Sequence, residues 1–81
     1  MKIDYLPGAL AALEVAPAEV RKAFFKQVVF LEQDLRHPSL RAKKYDESKD
    51  IWQARVNRDW RFYFSILGGT IVIRDVMPHP K

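Results

Sequence analysis

In the stretch from Ile51 to Asn57 the apolar residues Trp52, Ala54 and Val56 alternate with Gln53, Arg55 and Asn57. From Trp60 to Leu67 the apolar set is Trp60, Phe62, Phe64 and Ile66, and Arg61, Tyr63 and Ser65 fall between them. Successive side chains of a strand point to opposite faces, so parity alone sorts these residues. A third stretch, Leu40 to Tyr45, adds Leu40 and Ala42 to the apolar side and Arg41, Lys43 and Tyr45 to the other. One sheet surface is therefore expected to collect Arg41, Lys43, Gln53, Arg55, Arg61 and Tyr63. Guanidinium forks grip phosphate oxygens two at a time, and tyrosine rings stack on bases. Such a face suits a polyanion. The plainer reading is a solvated sheet face on which Lys and Arg stems cover apolar area.

The chain has two histidines, His37 and His79. Imidazole is the side chain whose ordinary pKa lies near neutrality, which makes each a candidate for proton transfer. His37 reads as a helix C-terminal residue and His79 as an end-of-strand residue between two prolines. No further ligand or recognisable spacing joins them, so a His37/His79 metal pair is not expected. There is no cysteine, which excludes thiol redox chemistry, a disulfide framework and a thiolate metal site.

The elements that must hold these residues can be read along the chain. Residues 1–6 alternate apolar and polar types and predict a short first strand. Pro7 fits the first turn of a short helix through Ala9 to Val15, rich in Ala, Leu and Glu, and Pro17 stops it. Pro17 in turn opens a second helix expected to run to about Arg36, with Glu19 near its start and Arg36-His37 near its end, until Pro38 terminates it. Val20, Phe24, Val28, Leu31 and Leu35 form its core-facing stripe. Phe25 and Val29 lie off that stripe and are expected to be covered by the short helix, with a surface left for a partner as the alternative. Strands follow at Leu40 to Tyr45, Ile51 to Val56, Trp60 to Leu67 and Thr70 to Met77, with Gly68-Gly69 as a two-residue hairpin turn that needs positive φ. The last strand is apolar on both parities (Ile71, Ile73 against Val72, Val76), which suggests a strand inside the sheet and leaves Arg74 unplaced. The order β-α-α-β-β-β-β implies an α+β fold: a twisted, mainly antiparallel sheet with a helical hairpin on one face.

Length and charge bound the function. Eighty-one residues make one domain, 1–81, with a modest core and no room for a large nucleotide-binding fold. Net charge is +4, and ten of the fourteen basic residues lie from Arg36 onward beside five of the ten acidic ones, so that part carries +5 and the first part −1. Half the molecule thus has the sign that attracts a polyanion. At 48% hydrophobic and 30% charged the chain is too apolar for intrinsic disorder. No apolar run approaches a membrane span and Met1-Lys2-Ile3-Asp4 does not open a signal peptide, so a cytoplasmic protein with no membrane partner is expected.

Taken in order, the two-helix opening, Arg36-His37-Pro38-Ser39-Leu40-Arg41-Ala42-Lys43-Lys44, Ile51-Trp52-Gln53-Ala54-Arg55-Val56, Asp59-Trp60-Arg61-Phe62-Tyr63-Phe64 and Thr70-Ile71-Val72-Ile73-Arg74-Asp75-Val76, followed by His79, resemble the RelE/ParE toxin superfamily of type II toxin-antitoxin systems. The resemblance covers nearly the whole chain. It implies a microbial-ribonuclease-like sheet, a cognate antitoxin that neutralises the toxin and, as in most RelE-like members, ribosome-dependent endonucleolytic cleavage of mRNA that inhibits translation. It also implies site residues. Arg61 matches the arginine that contacts the scissile phosphate, Arg55 a basic residue on the preceding strand, and Lys43 and Lys44 basic residues that contact the RNA backbone. His79 matches a position where relatives hold a catalytic histidine or a basic residue. Gln53 stands where the RelE pattern has lysine, and a tail that several relatives carry is missing.

The reaction so implied is attack of an RNA 2′-hydroxyl on the adjacent phosphate without metal or cofactor. It needs a base, an acid and donors for the developing charge. Arg61 and Arg55 are assigned to charge stabilisation and His79 to acid or base, with Arg41, Lys43, Lys44, Gln53 and Tyr63 as RNA contacts and Asp59 as a weaker candidate. Two rivals stand beside this reading: a ParE-like poison of DNA gyrase acting through protein contacts, and an inactive RNA- or protein-binding module of the same fold.

Overall fold

A computed structural model of the chain describes residues 1–79; Lys81, one of the basic residues counted above, lies outside them. Five strands form one sheet: β1 (Lys2–Tyr5), β2 (Lys43–Asp46), β3 (Ile51–Arg55), β4 (Trp60–Leu67) and β5 (Thr70–Pro78). Their order is β1-β5-β4-β3-β2, antiparallel except for the parallel β1/β5 pair. Two helices, α1 (Pro7–Val15) and α2 (Ala18–Gln33), bury their apolar stripes on one face of it. The expected α+β fold is the observed one. No helix among the described residues is long and apolar enough to cross a membrane.

Alternation in β4 drives the core. Phe62 and Phe64 are fully buried, and the Phe24 ring from α2 meets Phe62 edge to face at 5.2 Å between centroids. Val20, Val28 and Leu31 complete the stripe of α2, with Ala9 and Leu13 from α1, Leu40, and Ile71 and Ile73 from β5. Each large side chain so buried contributes roughly 1.5–3 kcal/mol against solvent exposure. Pro7 begins α1, as its fixed φ allows, and the extended backbone of Ala16 before Pro17 ends it. Arg21 of α2 reaches back to the end of α1, donating to the carbonyls of Leu13 and Ala16 and tying the two helices together.

Three expectations need correction. The second helix ends at Gln33, not near Arg36, because the Asp34 carboxylate accepts the Arg36 N–H at 2.9 Å and draws the backbone out of the helix. Pro38 consequently does not stop that helix; it opens a short 3₁₀ turn, Pro38–Leu40. His37 caps this turn, its Nδ1 lying 3.3 Å from the Ser39 N–H and 2.8 Å from the Ser39 hydroxyl, with its ring stacked on Phe30 at 4.0 Å. Second, β2 begins at Lys43 instead of Leu40, since Leu40 belongs to the 3₁₀ turn and Arg41 takes a left-handed conformation (φ 47, ψ 42). Third, Phe25 and Val29 are about half exposed; α1 lies against β5 and leaves that side of α2 open. The expected place of β5 inside the sheet is the observed one, between β1 and β4, and a bulge adds to its apolar character on both parities. Tyr63 pairs with Asp75 and Phe64 with Ile73, so Arg74 is the extra residue and the inward parity changes from Ile71 and Ile73 to Val76. Gly68 and Gly69 both take positive φ (55 and 83), as the two-residue hairpin requires.

Candidate functional site

The side of the sheet away from the helices holds a hollow of about 220 Å³, lined by Arg41, Lys43, Gln53, Arg55, Arg61 and His79, with Ala54 at its floor. Strand register assembles it. Lys43 pairs with Gln53 across β2/β3, Arg55 with Arg61 across β3/β4, and Arg61 with Met77 across β4/β5. Arg55 and Arg61 are thus direct cross-strand neighbours of like charge, a pairing that costs stability in an ordinary sheet.

The turn between β3 and β4 holds both arginines in place. The Asn57 side-chain oxygen accepts the N–H groups of Asp59 and Trp60, each at 2.9 Å, which tightens the turn. Its backbone carbonyl then accepts from Arg55 Nε at 3.2 Å and from Arg61 Nη1 at 2.8 Å. Arg61 Nη1 also donates to the carbonyls of Trp60 and Arg58. One nitrogen of the Arg61 fork is anchored and the rest of the fork has no acceptor among the described residues. The same turn fixes the end of β5, because the His79 N–H donates to the Asp59 carbonyl at 2.7 Å. Asn57 organises the site and sequence reasoning passed over it; its position between two strands, in an Asn-Arg-Asp turn, was the available signal.

Electrostatics leave the hollow strongly positive. Burial, then the neighbouring Arg55 guanidinium, lower the Arg61 pKa from its ordinary value, although an arginine remains charged at any physiological pH. Arg41, Lys43, Arg55 and Arg61 make no ion pair among the described residues. Cations gathered without a carboxylate form a site for an anion, and phosphate matches the fork of a guanidinium. Among the described residues no three of His, Cys, Asp and Glu lie close enough together to hold a metal ion.

The sequence-derived residues fall into place unequally. Arg41, Lys43, Gln53, Arg55, Arg61 and His79 line the one hollow. Tyr63 sits beside it, its hydroxyl accepting from Gln53 Nε2 at 3.0 Å. Lys44 is not brought there. It pairs with Trp52, on the helix side of the sheet, lies over the Trp52 ring at 5.1 Å and forms ion pairs with Asp50 and Glu47; neighbouring strand residues face opposite ways, and Lys43 already takes the open side.

Arg41 is held at a conformation disfavoured for any residue with a Cβ, yet it is exposed and lines the hollow. Arg41→Gly is expected to stabilise the fold by up to about 1 kcal/mol while weakening polyanion binding. Urea unfolding and titration with a short RNA at low salt check both halves; a less stable variant with undiminished binding would contradict the assignment.

No protein-family model matches the chain, and a search among curated proteins finds no match. Solved structures do match. The chain is similar to a YoeB/ParE toxin from Agrobacterium tumefaciens, with a TM-score of 0.83 and 12% identity over 99% of this chain and 100% of that one. It is similar to the RelE of an archaeal RelE-RelB complex from Pyrococcus horikoshii, with a TM-score of 0.78 and 20% identity over 95% and 92% of the two chains. The isolated RelE toxin of E. coli aligns with a TM-score of 0.78 and 15% identity over 99% and 85%. With 95–99% of its length matching these proteins at TM-scores of 0.78–0.83, the chain has the fold of the RelE/ParE toxins.

Proposed function

We propose that the protein is the toxin of a toxin-antitoxin pair and that it inhibits translation by cutting mRNA at the arginine hollow. The observation that carries this reading is the group of three arginines, without an ion pair among the described residues, around a hollow that His79 also lines. Arg61 and Arg55 bind the scissile phosphate and stabilise the charge that develops on its oxygens. The RNA 2′-oxygen forms a bond to phosphorus as it gives up its proton, the bond to the 5′-oxygen breaks, and that oxygen takes a proton. His79 serves as acid or base in these transfers. Arg41, Lys43, Gln53 and Tyr63 hold the flanking RNA. Attack by the substrate's own hydroxyl needs no activated water, so the reaction is written without metal.

The fold supports the reading, as does the company its structural neighbours keep. The RelE of P. horikoshii is in complex with RelB, and the YoeB of Staphylococcus aureus is in complex with YefM. A cognate antitoxin is accordingly the proposed partner of this chain, with mRNA on the ribosome, in the cytoplasm, as its substrate. A partner laid over the open sheet face would block the hollow sterically and could bring carboxylates to its cations.

Purified protein incubated with mRNA-programmed ribosomes is expected to cut the message and leave 2′,3′-cyclic phosphate and 5′-hydroxyl ends. Ends bearing a free 3′-hydroxyl would contradict the mechanism.

A further inference from the structure

Next to the arginine hollow the open sheet face carries a second one of about 290 Å³, lined chiefly by Tyr45, Ile51, Tyr63, Arg74, Asp75 and Met77. Register sets the distance between them. Arg61 lies opposite Met77 and Tyr63 opposite Asp75, so the two hollows are one same-face step apart along β4, about 7 Å at the rise of a strand. A single nucleotide spans that step, with its phosphate in one hollow and its base in the other.

The walls suit a base. Tyr45 and Tyr63 meet edge to face with centroids 4.9 Å apart, and Gln53 holds the Tyr63 hydroxyl. Tyr45 is 62% exposed, an aromatic surface left open beside a cationic site, and aromatic faces gain from stacking on bases. Asp75 is the only carboxylate lining either hollow among the described residues. It accepts the Val76 N–H at 2.8 Å and has no ion pair among the described residues. A carboxylate repels phosphate, but its two oxygens accept from paired N–H donors. Guanine alone presents two such donors side by side, its ring N1–H and its 2-amino group. Adenine and cytosine set an acceptor nitrogen next to their amino group, and uracil sets its one N–H between two carbonyls.

We infer that this second hollow is a base subsite selective for guanine, with Tyr45 and Tyr63 as stacking walls and Asp75 as the acceptor; the inference rests on the RNA reading of the neighbouring site. It is tested by titrating the protein with the 3′-monophosphates of guanosine, adenosine, cytidine and uridine and with inorganic phosphate. NMR signals of the tyrosine rings and arginine side chains report the two hollows separately. Guanosine 3′-monophosphate is expected to bind at least roughly tenfold more tightly than the other three, the gain typical of one good two-point base contact. Asp75→Asn should abolish that preference and leave inorganic phosphate binding unchanged, and Tyr45→Ala should weaken all four nucleotides but not phosphate. Four nucleotides that bind no better than phosphate and leave the tyrosine signals still would overturn the base subsite and spare the phosphate site. No response to phosphate or to any nucleotide would overturn both.

Discussion

Arg61→Ala is expected to lower RNA cleavage by roughly a hundredfold to a thousandfold, the loss seen when one positioned donor to a developing oxyanion is removed. The geometry gives the reason. Arg61 sits at the centre of the sheet, one nitrogen of its fork held by the carbonyls of Asn57, Arg58 and Trp60 and the remainder without an acceptor among the described residues. Removing it takes away a fixed donor without opening a core cavity, and it also relieves repulsion with Arg55. Stability should therefore change by less than about 1 kcal/mol, the range of substitutions outside the core and its buried networks. Arg61→Lys separates charge from geometry: a lysine keeps the charge but loses the planar fork, so it should recover only a small part of the rate. Single-turnover cleavage, with urea unfolding alongside, checks both variants. Full activity in either, with the fold intact, would remove Arg61 from the chemistry.

The second large effect concerns a residue that touches no substrate. Gln27 of α2 is 7% exposed, and its Nε2 donates to the Arg55 carbonyl at 2.8 Å and the Ser39 carbonyl at 3.0 Å while its Oε1 accepts from the Ser39 hydroxyl. These bonds fall where β2 has ceased to pair with β3, so the glutamine replaces ladder bonds that the missing strand would have made. Gln27→Leu keeps the volume and leaves two carbonyls without their partner, each worth roughly 1–3 kcal/mol when buried. A loss of about 2–4 kcal/mol in urea unfolding is expected, together with weaker phosphate binding, because Arg55 and the turn before Arg41 lose their common anchor. A change below about 1 kcal/mol would mean that water takes over these bonds.

Much of this site was legible because its logic is the two-residue period of a strand. Trp60 through Ile66 alternates in its apolar residues, and the structure keeps Arg61 and Tyr63 on one side and Phe62 and Phe64 on the other. The same parity would have removed Lys44, which stands next to Lys43 and must face the helices; resemblance alone had placed it with the RNA contacts. Where a side chain competes with the backbone, periodicity gave no warning. Asp34 ends α2 through its own carboxylate, and Pro38 spends Leu40 and Arg41 on a tight turn before β2 can start. The bulge at Arg74 left only a trace, apolar residues on both parities, which two-sided burial would also produce. Gln27 was visible as a polar residue between Phe24 and Leu31 on the inward stripe, but its partners on the 3₁₀ turn and β3 lie far along the chain and follow from the fold alone.

Cells induced to express the wild-type chain or Arg61→Ala, with the 5′ ends of their mRNA mapped beside growth, test the central claim most directly. The wild type should halt growth and create new 5′ ends within translated messages, and both should vanish in the variant. Growth arrest with intact mRNA and broken DNA would contradict the account and point to gyrase poisoning, and arrest that persists in Arg61→Ala would contradict the site.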